Sequence, residues 1–363
     1  MGFTEAIRRL RHVGHYVRRV TNLLSGVLRN TLLRPDWHRP SVVFLDIVGP
    51  INLRTLRELL IAFDLADYQV RLRAHWNLKT LRVGDLFRWH GNLQLVWSDP
   101  PAGTSTIVCT DQAPDRTFSA YKHIRLVFDY SPDLEIRDGH FVMPIPMHPQ
   151  IYVQYHDHER LDGYRRSLRK IRIFFAGNWN ETGYNSPLLG ELFGKLTRHQ
   201  IINFLLREGL VRIVETIEEL DKILAGPYWN GFVLLNPRVR INQAKWLATI
   251  AQADFFLCPP GVLFPWSHNA IEAMAVGTIP LINYPEWFFP TLVDGKNVKT
   301  FQTLEELKGT VRVILQMQNE EISYLHQEAS AYYEQHLNPR TFVHQVVTSP
   351  EKHVTVHYLA RPA

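Results

Sequence analysis

The chain of 363 residues has only two cysteines, Cys109 and Cys258. Both stand in apolar, strand-like runs. They make neither a disulfide framework nor a metal-ligating set, and a reducing compartment is the natural expectation. The chain also lacks any uninterrupted apolar run of about eighteen residues, the length a membrane-crossing helix requires. Its basic start has no compact apolar segment behind it, so no secretory signal is expected. Outside the first forty residues it lacks a net charge of either sign. Those forty hold eight arginines against Glu5 and Asp36, which leaves the remainder near −1 of the formal +5.

Within that basic start, Phe3, Ile7, Leu10, Val17, Leu24 and Leu28 recur at helical spacing. Arg8, Arg11, Arg18 and Arg19 fall mostly elsewhere on the wheel. Residues 1–34 therefore read as a basic amphipathic helix suited to an anionic membrane surface, with packing on the protein or on a partner subunit as the alternative. A cytoplasmic, peripheral location on the inner membrane face follows as an expectation. No basic and aromatic pattern continues into the body, so nucleic acid is not an expected partner.

What is present is a repeated strand–loop–helix pattern. The hydrophobic content of 45% and the length suit two domains, read as 35–165 and 166–340, with a tail over 341–363 packing back on the body. In the first, strands are expected at 42–47, 68–72, 93–97, 105–109 and 124–129, with a helix over 53–63 that Asn52 can cap. Residues 151–155 also look strand-like. His156, Asp157, His158 and Glu159 follow them, a dense polar cluster without a third distant ligand of telling spacing, which reads as a solvated turn rather than a metal site.

In the second domain, strands are expected at 173–176, 232–235, 255–258 and 279–282. Short or late helices are expected over 242–251, 303–318 and 320–334, and, in the tail beyond this domain, an edge strand at 354–358. The stretch 254–300 organises this half. An apolar strand leads into a Pro/Gly-rich loop at 259–266, Ser267 can cap a helix running to Val276, and Gly277 is its stop. Ligands in such parallel sheets bind beyond the carboxyl ends of strands, near helix amino termini. Glu272 lies in the second turn of that helix among Ala273, Met274 and Ala275, where a carboxylate needs a partner or water.

This pattern resembles the C-terminal half of GT-B glycosyltransferases, and within them the exostosin-like family. The matching elements are the strand at 255–258, Pro259 to Gly261, Ser267, Glu272 to Met274, and Gly277 to Pro280. The likeness extends over 172–337. It implies an α/β fold of GT-B form, two Rossmann-like domains facing a central cleft, and transfer of a sugar from a UDP- or GDP-linked donor. The acceptor implied is a glycan or lipid-linked glycan, as in cell-surface polysaccharide synthesis.

By the resemblance, Glu272 bonds the donor ribose. Arg198, opening the helix after a glycine-containing loop, meets the diphosphate, with Arg172 and Asn178 as further phosphate contacts. Ser267, with His268 and Asn269 beside it, offers the helix amino terminus. Glu286, Trp287 or Phe288 lines the sugar or base site. The chain departs from the family in having Pro260 where an Arg usually stands. It also has Phe264, eight positions before Glu272, where retaining enzymes often carry an acid. That second departure favours inversion, which needs a general base in the first domain. Asp46 is the first candidate, with Asp111 and Asp129 as alternatives. No D-x-D motif is present, and no metal or other cofactor is expected. The rival readings are a catalytically inactive binding or assembly subunit and a sugar-nucleotide epimerase.

Overall fold

A computed structural model of the chain describes Thr21 and residues 41–48, 53–73, 93–97, 99, 106–112, 120–262 and 264–359. The expected amphipathic helix over 1–34, with its membrane role, lies outside the described residues except for Thr21, as does the Asn52 cap. Two compact units account for the chain: residues 1–143 with 339–363, and residues 144–338. Strands and helices are numbered below along the whole chain.

The first unit is built on a seven-stranded sheet. Its strands are β1 (Val42–Asp46), β2 (Gln69–Arg73), β3 (Leu93–Val96), β4 (Thr106–Thr110), β5 (Lys122–Tyr130), β6 (His140–Val142) and β13 (His353–Leu359). Their order is β3-β2-β1-β4-β5-β13-β6, and every pairing is parallel. Helix α1 (Leu53–Leu65) presents Leu56, Leu59, Leu60 and Phe63 to the core, the spacing of a helical apolar stripe. Helix α9 (Pro339–Thr348) adds Phe342, Val343, Val346 and Val347 to the same core.

The sequence predicts an edge strand at the C-terminus. Instead β13 sits inside the sheet, paired with β5 on one side and β6 on the other. Val354, Val356 and Tyr358 alternate into the core, which an edge strand does not require. The start of β5 also holds this segment. The Lys122 ammonium, on a residue 2% exposed, donates to Ser349 O (2.6 Å), Ser349 Oγ (3.0 Å) and Glu351 O (2.7 Å).

The second unit carries a six-stranded sheet of β7 (Ile171–Phe175), β8 (Arg212–Val214), β9 (Trp229–Leu235), β10 (Ala253–Leu257), β11 (Ile279–Ile282) and β12 (Lys299–Thr300). The order is β12-β11-β10-β7-β9-β8, again all parallel. Strands β7, β10 and β11 are buried at every position, as expected of parallel strands covered on both faces. The helices used below are α2 (Pro149–Val153), α3 (Arg198–Arg207), α4 (Ile217–Ala225), α5 (Trp246–Ile250), α6 (His268–Ala275), α7 (Leu304–Gln316) and α8 (Asn319–Tyr332). From β7 the chain goes outward to β8 and β9, then crosses to β10, β11 and β12 on the other side. The order therefore reverses between β7 and β10, the place where loops diverge and leave a crevice at the carboxyl ends.

Two local expectations are corrected. The strand-like run at 151–155 is instead covered mostly by helix α2: Pro149 opens it with its fixed φ, and His148 Nδ1 accepts from the Gln150 amide. The helix expected over 242–251 is a 3₁₀ turn (Gln243–Lys245) followed by α5. Residues 144–165, read from the sequence as part of the first domain, fall in the second unit. Arg165 shows why, donating to Ala275 O at 2.9 Å and pairing with Glu334 at 2.5 Å.

Candidate functional site

The site is built at the carboxyl edge of the second sheet, where β7 and β10 part. After β7 the chain turns through Gly177, Asn178 and Trp179. After β10 it runs through Pro259 and Pro260 into the turn at Gly261. A Cβ on Gly261 would stand 2.9 Å from Phe264 O and 3.0 Å from Trp266 O, so only glycine lets this loop fold so closely on itself.

Helix α3 brings a cation to this place. Thr197 and Gln200 form a reciprocal capping box, with Gln200 N donating to Thr197 Oγ1 (3.2 Å) and Thr197 N to Gln200 Oε1 (2.8 Å). The cap fixes the helix start, and Arg198, its first residue, reaches into both loops. Nη1 donates to Asn178 O at 3.0 Å and Nη2 to Pro260 O at 3.2 Å. The guanidinium lies 4.3 Å over the Tyr184 ring.

Arg198 is 6% exposed and, among the described residues, pairs with no carboxylate. Burial pulls its pKa down, and Tyr184, Tyr284 and Cys258 lie close enough to oppose that shift. Its charge also stands at the positive end of the α3 dipole, an unfavourable place for a cation. A buried charge in this situation calls for an anion.

Several polar atoms around it are equally unfinished. Arg198 Nε, Ser267 Oγ, Trp266 Nε1, Tyr284 Oη and both amide atoms of Asn283 have no hydrogen-bond partner among the described residues. Tyr284 lies beside Ser267, yet the two hydroxyls complete no bond by geometry. Asn283 is 1% exposed, at the carboxyl end of β11. Buried polar groups in proteins are nearly all satisfied, so a cluster of orphans marks a place for something else.

The other residues singled out from the sequence fall in three groups. Ser267 is the cap residue of α6 but makes no side-chain cap bond. His268 Nδ1 is 2.7 Å from Pro146 O, and Asn269 is half-buried in the first turn. Gly277 ends α6 at φ +73°, with Gly277 N donating to Met274 O and Thr278 N to Ala273 O, the two bonds of a Schellman stop. The Asn178 side chain accepts from Asn180 N, so its carbonyl, not its amide group, meets Arg198.

Glu272 is 2% exposed, and each oxygen has one donor. Oε1 accepts from His148 N at 3.0 Å and Oε2 from Trp246 Nε1 at 2.6 Å. Burial pushes its carboxyl up, and these two donors offset only part of the rise. It fastens α6 to α5 and to the segment ahead of α2.

Arg172 lies at the opposite, amino end of β7. There it donates to Asn230 Oδ1 at 3.1 Å and faces Asp254 at 3.6 Å, so the structure does not bring it to Arg198. Glu286 pairs with Lys195 at 2.6 Å. Trp287 meets Phe193 edge to face at 5.2 Å.

In the first unit, the three acids lie near the carboxyl ends of different strands, each engaged. Asp46 Oδ2 accepts from Arg73 Nη1 at 3.0 Å. Asp111 Oδ1 accepts from Val48 N at 2.9 Å and from Gln112 Nε2 at 3.0 Å. Asp129 Oδ1 is 2.7 Å from His357 Nδ1. Among the described residues no group of three or more His, Cys, Asp or Glu is arranged to hold a metal ion, and no helix is long and apolar enough to cross a membrane. The sequence reading missed Asn283 and Tyr284 as site residues. Their signal is faint: a polar pair immediately after the buried strand IPLI.

No protein family model matches the chain, and no curated protein matches it. Solved structures similar to it include the Anabaena protein HepE in complex with UDP, at 13% identity and TM-score 0.42, covering 84% of this chain and 98% of that one. Sucrose-phosphate synthase from Thermosynechococcus elongatus is similar at 11% identity and TM-score 0.41, over 84% and 97% of the two chains. Acinetobacter baumannii MurG is similar at 13% identity and TM-score 0.37, over 85% and 99%. Superpositions of this quality assign no residue of this chain a role.

Proposed function

We propose that the chain is a nucleotide-sugar-dependent glycosyltransferase of GT-B form, with its donor site on the second unit. The observation that carries this reading is Arg198, a buried guanidinium without a carboxylate, held between the loops after β7 and β10. A diphosphate supplies the missing anion. An arginine fork suits phosphate oxygens, and the amino end of α6, with the free Ser267 hydroxyl, adds positive potential beside it. As the bond between sugar and diphosphate breaks, charge grows on the leaving group, and these groups stabilise it in place.

In this reading the orphan Asn283 amide and Tyr284 hydroxyl meet the polar groups of the nucleotide. Each Glu272 oxygen has one donor and a second lone pair, so Glu272 meets the ribose if the ligand reaches this buried position, and otherwise acts by holding α6 in position. The first unit supplies the acceptor side, for a glycan or lipid-linked glycan. Phe264 in place of a second acid supports inversion. Calorimetric titration with UDP and GDP tests the donor site: micromolar binding by the wild-type chain, lost in Arg198→Ala, is the expected result. Absence of any nucleotide binding would leave the buried cation to another anion and remove the assignment. Release of label from a panel of nucleotide sugars then separates a transferase from a binding subunit or an epimerase.

A further inference from the structure

The amino end of the second sheet, opposite the donor site, holds a cluster of charge that the donor site does not use. Gly277 stops α6 there, and the carbonyls of a last helical turn have no partners within the helix. Three cationic side chains take them. Arg165 Nε donates to Ala275 O at 2.9 Å, Arg169 Nη2 to Val276 O and Gly277 O at 3.3 Å each, and His326 Nδ1 to Gly277 O. Cations are favoured at this negative end of a helix. A Cβ on Gly277 would stand 2.8 Å from Ser330 Oγ, so α8, which carries His326, lies directly against the stop.

His326 also reaches β10. Its Nε2 is 3.2 Å from Asp254 Oδ1, and the two side chains are 16% and 8% exposed. Asp254 Oδ2 accepts from Tyr228 Oη at 2.5 Å and faces Arg172 Nη1 at 3.6 Å. Burial pushes the Asp254 carboxyl up, but the His326 and Tyr228 bonds and the His326 and Arg172 charges outweigh it and hold it below the ordinary value. At neutral pH it is therefore a carboxylate, and a carboxylate only accepts.

Donor and acceptor chemistry then fixes the protons. A carbonyl oxygen also only accepts, so His326 Nδ1 must carry a hydrogen to bond Gly277 O, and Nε2 must carry one to bond Asp254. A neutral imidazole has a single N–H and completes only one of the two bonds. We infer that His326 bridges Gly277 O and Asp254 as an imidazolium, and that it is a positioning residue for the donor site, so that losing its proton weakens nucleotide binding. The inference rests on the donor-site reading proposed above.

The link runs along α6. Its eight residues span about 12 Å, with the bridge at one end and Ser267 at the other. The groups around the bridge are Asp254 from β10, Arg172 from β7, Tyr228 ahead of β9, and Arg165 and Arg169 ahead of β7, with Asp162 and Glu334 paired to Arg165. Among these residue types only histidine ordinarily changes charge between about pH 6 and 8.5. Burial, with Asp254 opposing, brings Arg169 down to about 10, so it stays a cation over that range. Burial first, then the bond to Asp254, pushes the Tyr228 phenol up and keeps it neutral. A singly protonated His326 keeps one bond and sets a lone pair against the other oxygen, which loosens either the stop of α6 or its tie to β10.

Three measurements on the full chain decide it. Long-range ¹H–¹⁵N spectra at neutral pH should show hydrogens on both ring nitrogens of His326, where an ordinary imidazole is mostly neutral. A neutral ring there would overturn the bridge whatever any nucleotide does. In calorimetric titrations with UDP and GDP from about pH 6 to 8.5, affinity should fall about three- to tenfold as the spectra show His326 losing its proton, the scale of a charge at a helix end. His326→Gln offers one nitrogen for two acceptors, so it should begin at the weaker affinity and lose this dependence. Ionisation of the diphosphate acts on both chains alike, and the difference between their profiles is the readout. The same profile in both chains would defeat the inference and leave the donor site standing. A wild-type chain that binds no nucleotide would defeat the donor reading and the coupling with it, while the spectra still report the bridge.

Discussion

The two sheets have the same parallel design but differ in how the described charged groups near their carboxyl edges are paired. In the second unit the edge holds a cation without a carboxylate, Arg198, among unsatisfied dipoles. In the first, every candidate acid has a partner: Asp46 has Arg73, Asp111 has the Val48 amide, and Asp129 has His357. An edge with a spare positive charge attracts a polyanion. An edge with its carboxylates already engaged offers a neutral acceptor a surface without strong net attraction or repulsion. Among the described residues, then, the second sheet leaves a buried cation without a carboxylate, whereas the three candidate acids of the first are engaged.

The largest expected effect comes from removing that asymmetry. Arg198→Ala removes the guanidinium proposed to meet the diphosphate, and a charge-assisted bond to such a group is worth about 1.5–3 kcal/mol. Nucleotide affinity should fall by about hundredfold or more in calorimetric titration. A change under about threefold would mean that the two edges do not differ in the way proposed.

Next in size is Glu272. Glu272→Ala leaves the Trp246 indole N–H and the His148 amide without acceptors, a loss of about 2–5 kcal/mol in denaturant unfolding. The pH dependence has a definite sign. Because the folded carboxyl is raised, the folded state holds this proton more tightly than the unfolded chain does. Its stabilising contribution is complete below the unfolded carboxyl value of about 4.3 and declines as pH rises through the folded value. Glu272→Gln should flatten that decline. If the same variant keeps its nucleotide affinity, Glu272 is a fastener of the donor platform; if affinity drops about tenfold with an unchanged melting curve, it is a ribose ligand.

Smaller effects are expected in the first unit. Lys122→Met strands the Ser349 and Glu351 carbonyls and should cost about 1–3 kcal/mol. Hydrogen exchange should quicken in β13 and β6 while β7 and β10 keep their protection. Asp46→Asn should cost the least, about 1 kcal/mol, since Arg73 also pairs with Asp99 at 2.6 Å. Turnover within about threefold of wild type is expected if the Arg73-paired carboxylate is structural. A loss of about hundredfold in this variant would give the general-base role to Asp46.

The parts of this molecule written in short range were legible beforehand. Strand β11 is found where the run IPLI predicts it, and Gly277 stops α6 because only glycine adopts its φ of +73° without strain. Arg198 was legible as a helix-opening basic residue. Its lack of a carboxylate was not, because that depends on residues distant in sequence. Glu272 read as an acid in need of a partner, but the partners, His148 and Trp246, lie 124 and 26 residues away. The contact between Asp129 and His357 was hidden for the same reason. Asp129 and His357 are separated by 228 residues, and only the insertion of β13 between β5 and β6 brings them together.

That insertion has a consequence for how the molecule is made. Among the described residues, strand β6 has no neighbour in its sheet except β13, and β13 is encoded after the whole second unit. On a ribosome, residues 144–338 emerge between the two halves of the first sheet. At roughly 5–20 residues per second that interval lasts roughly ten to forty seconds. Throughout it the flank of β5 stands open as an unpaired strand edge, a template for wrong pairing. The contiguous second unit has its full sequence in hand first. Completion of the first then waits on a few late residues, with Lys122 already in place to receive Ser349 and Glu351.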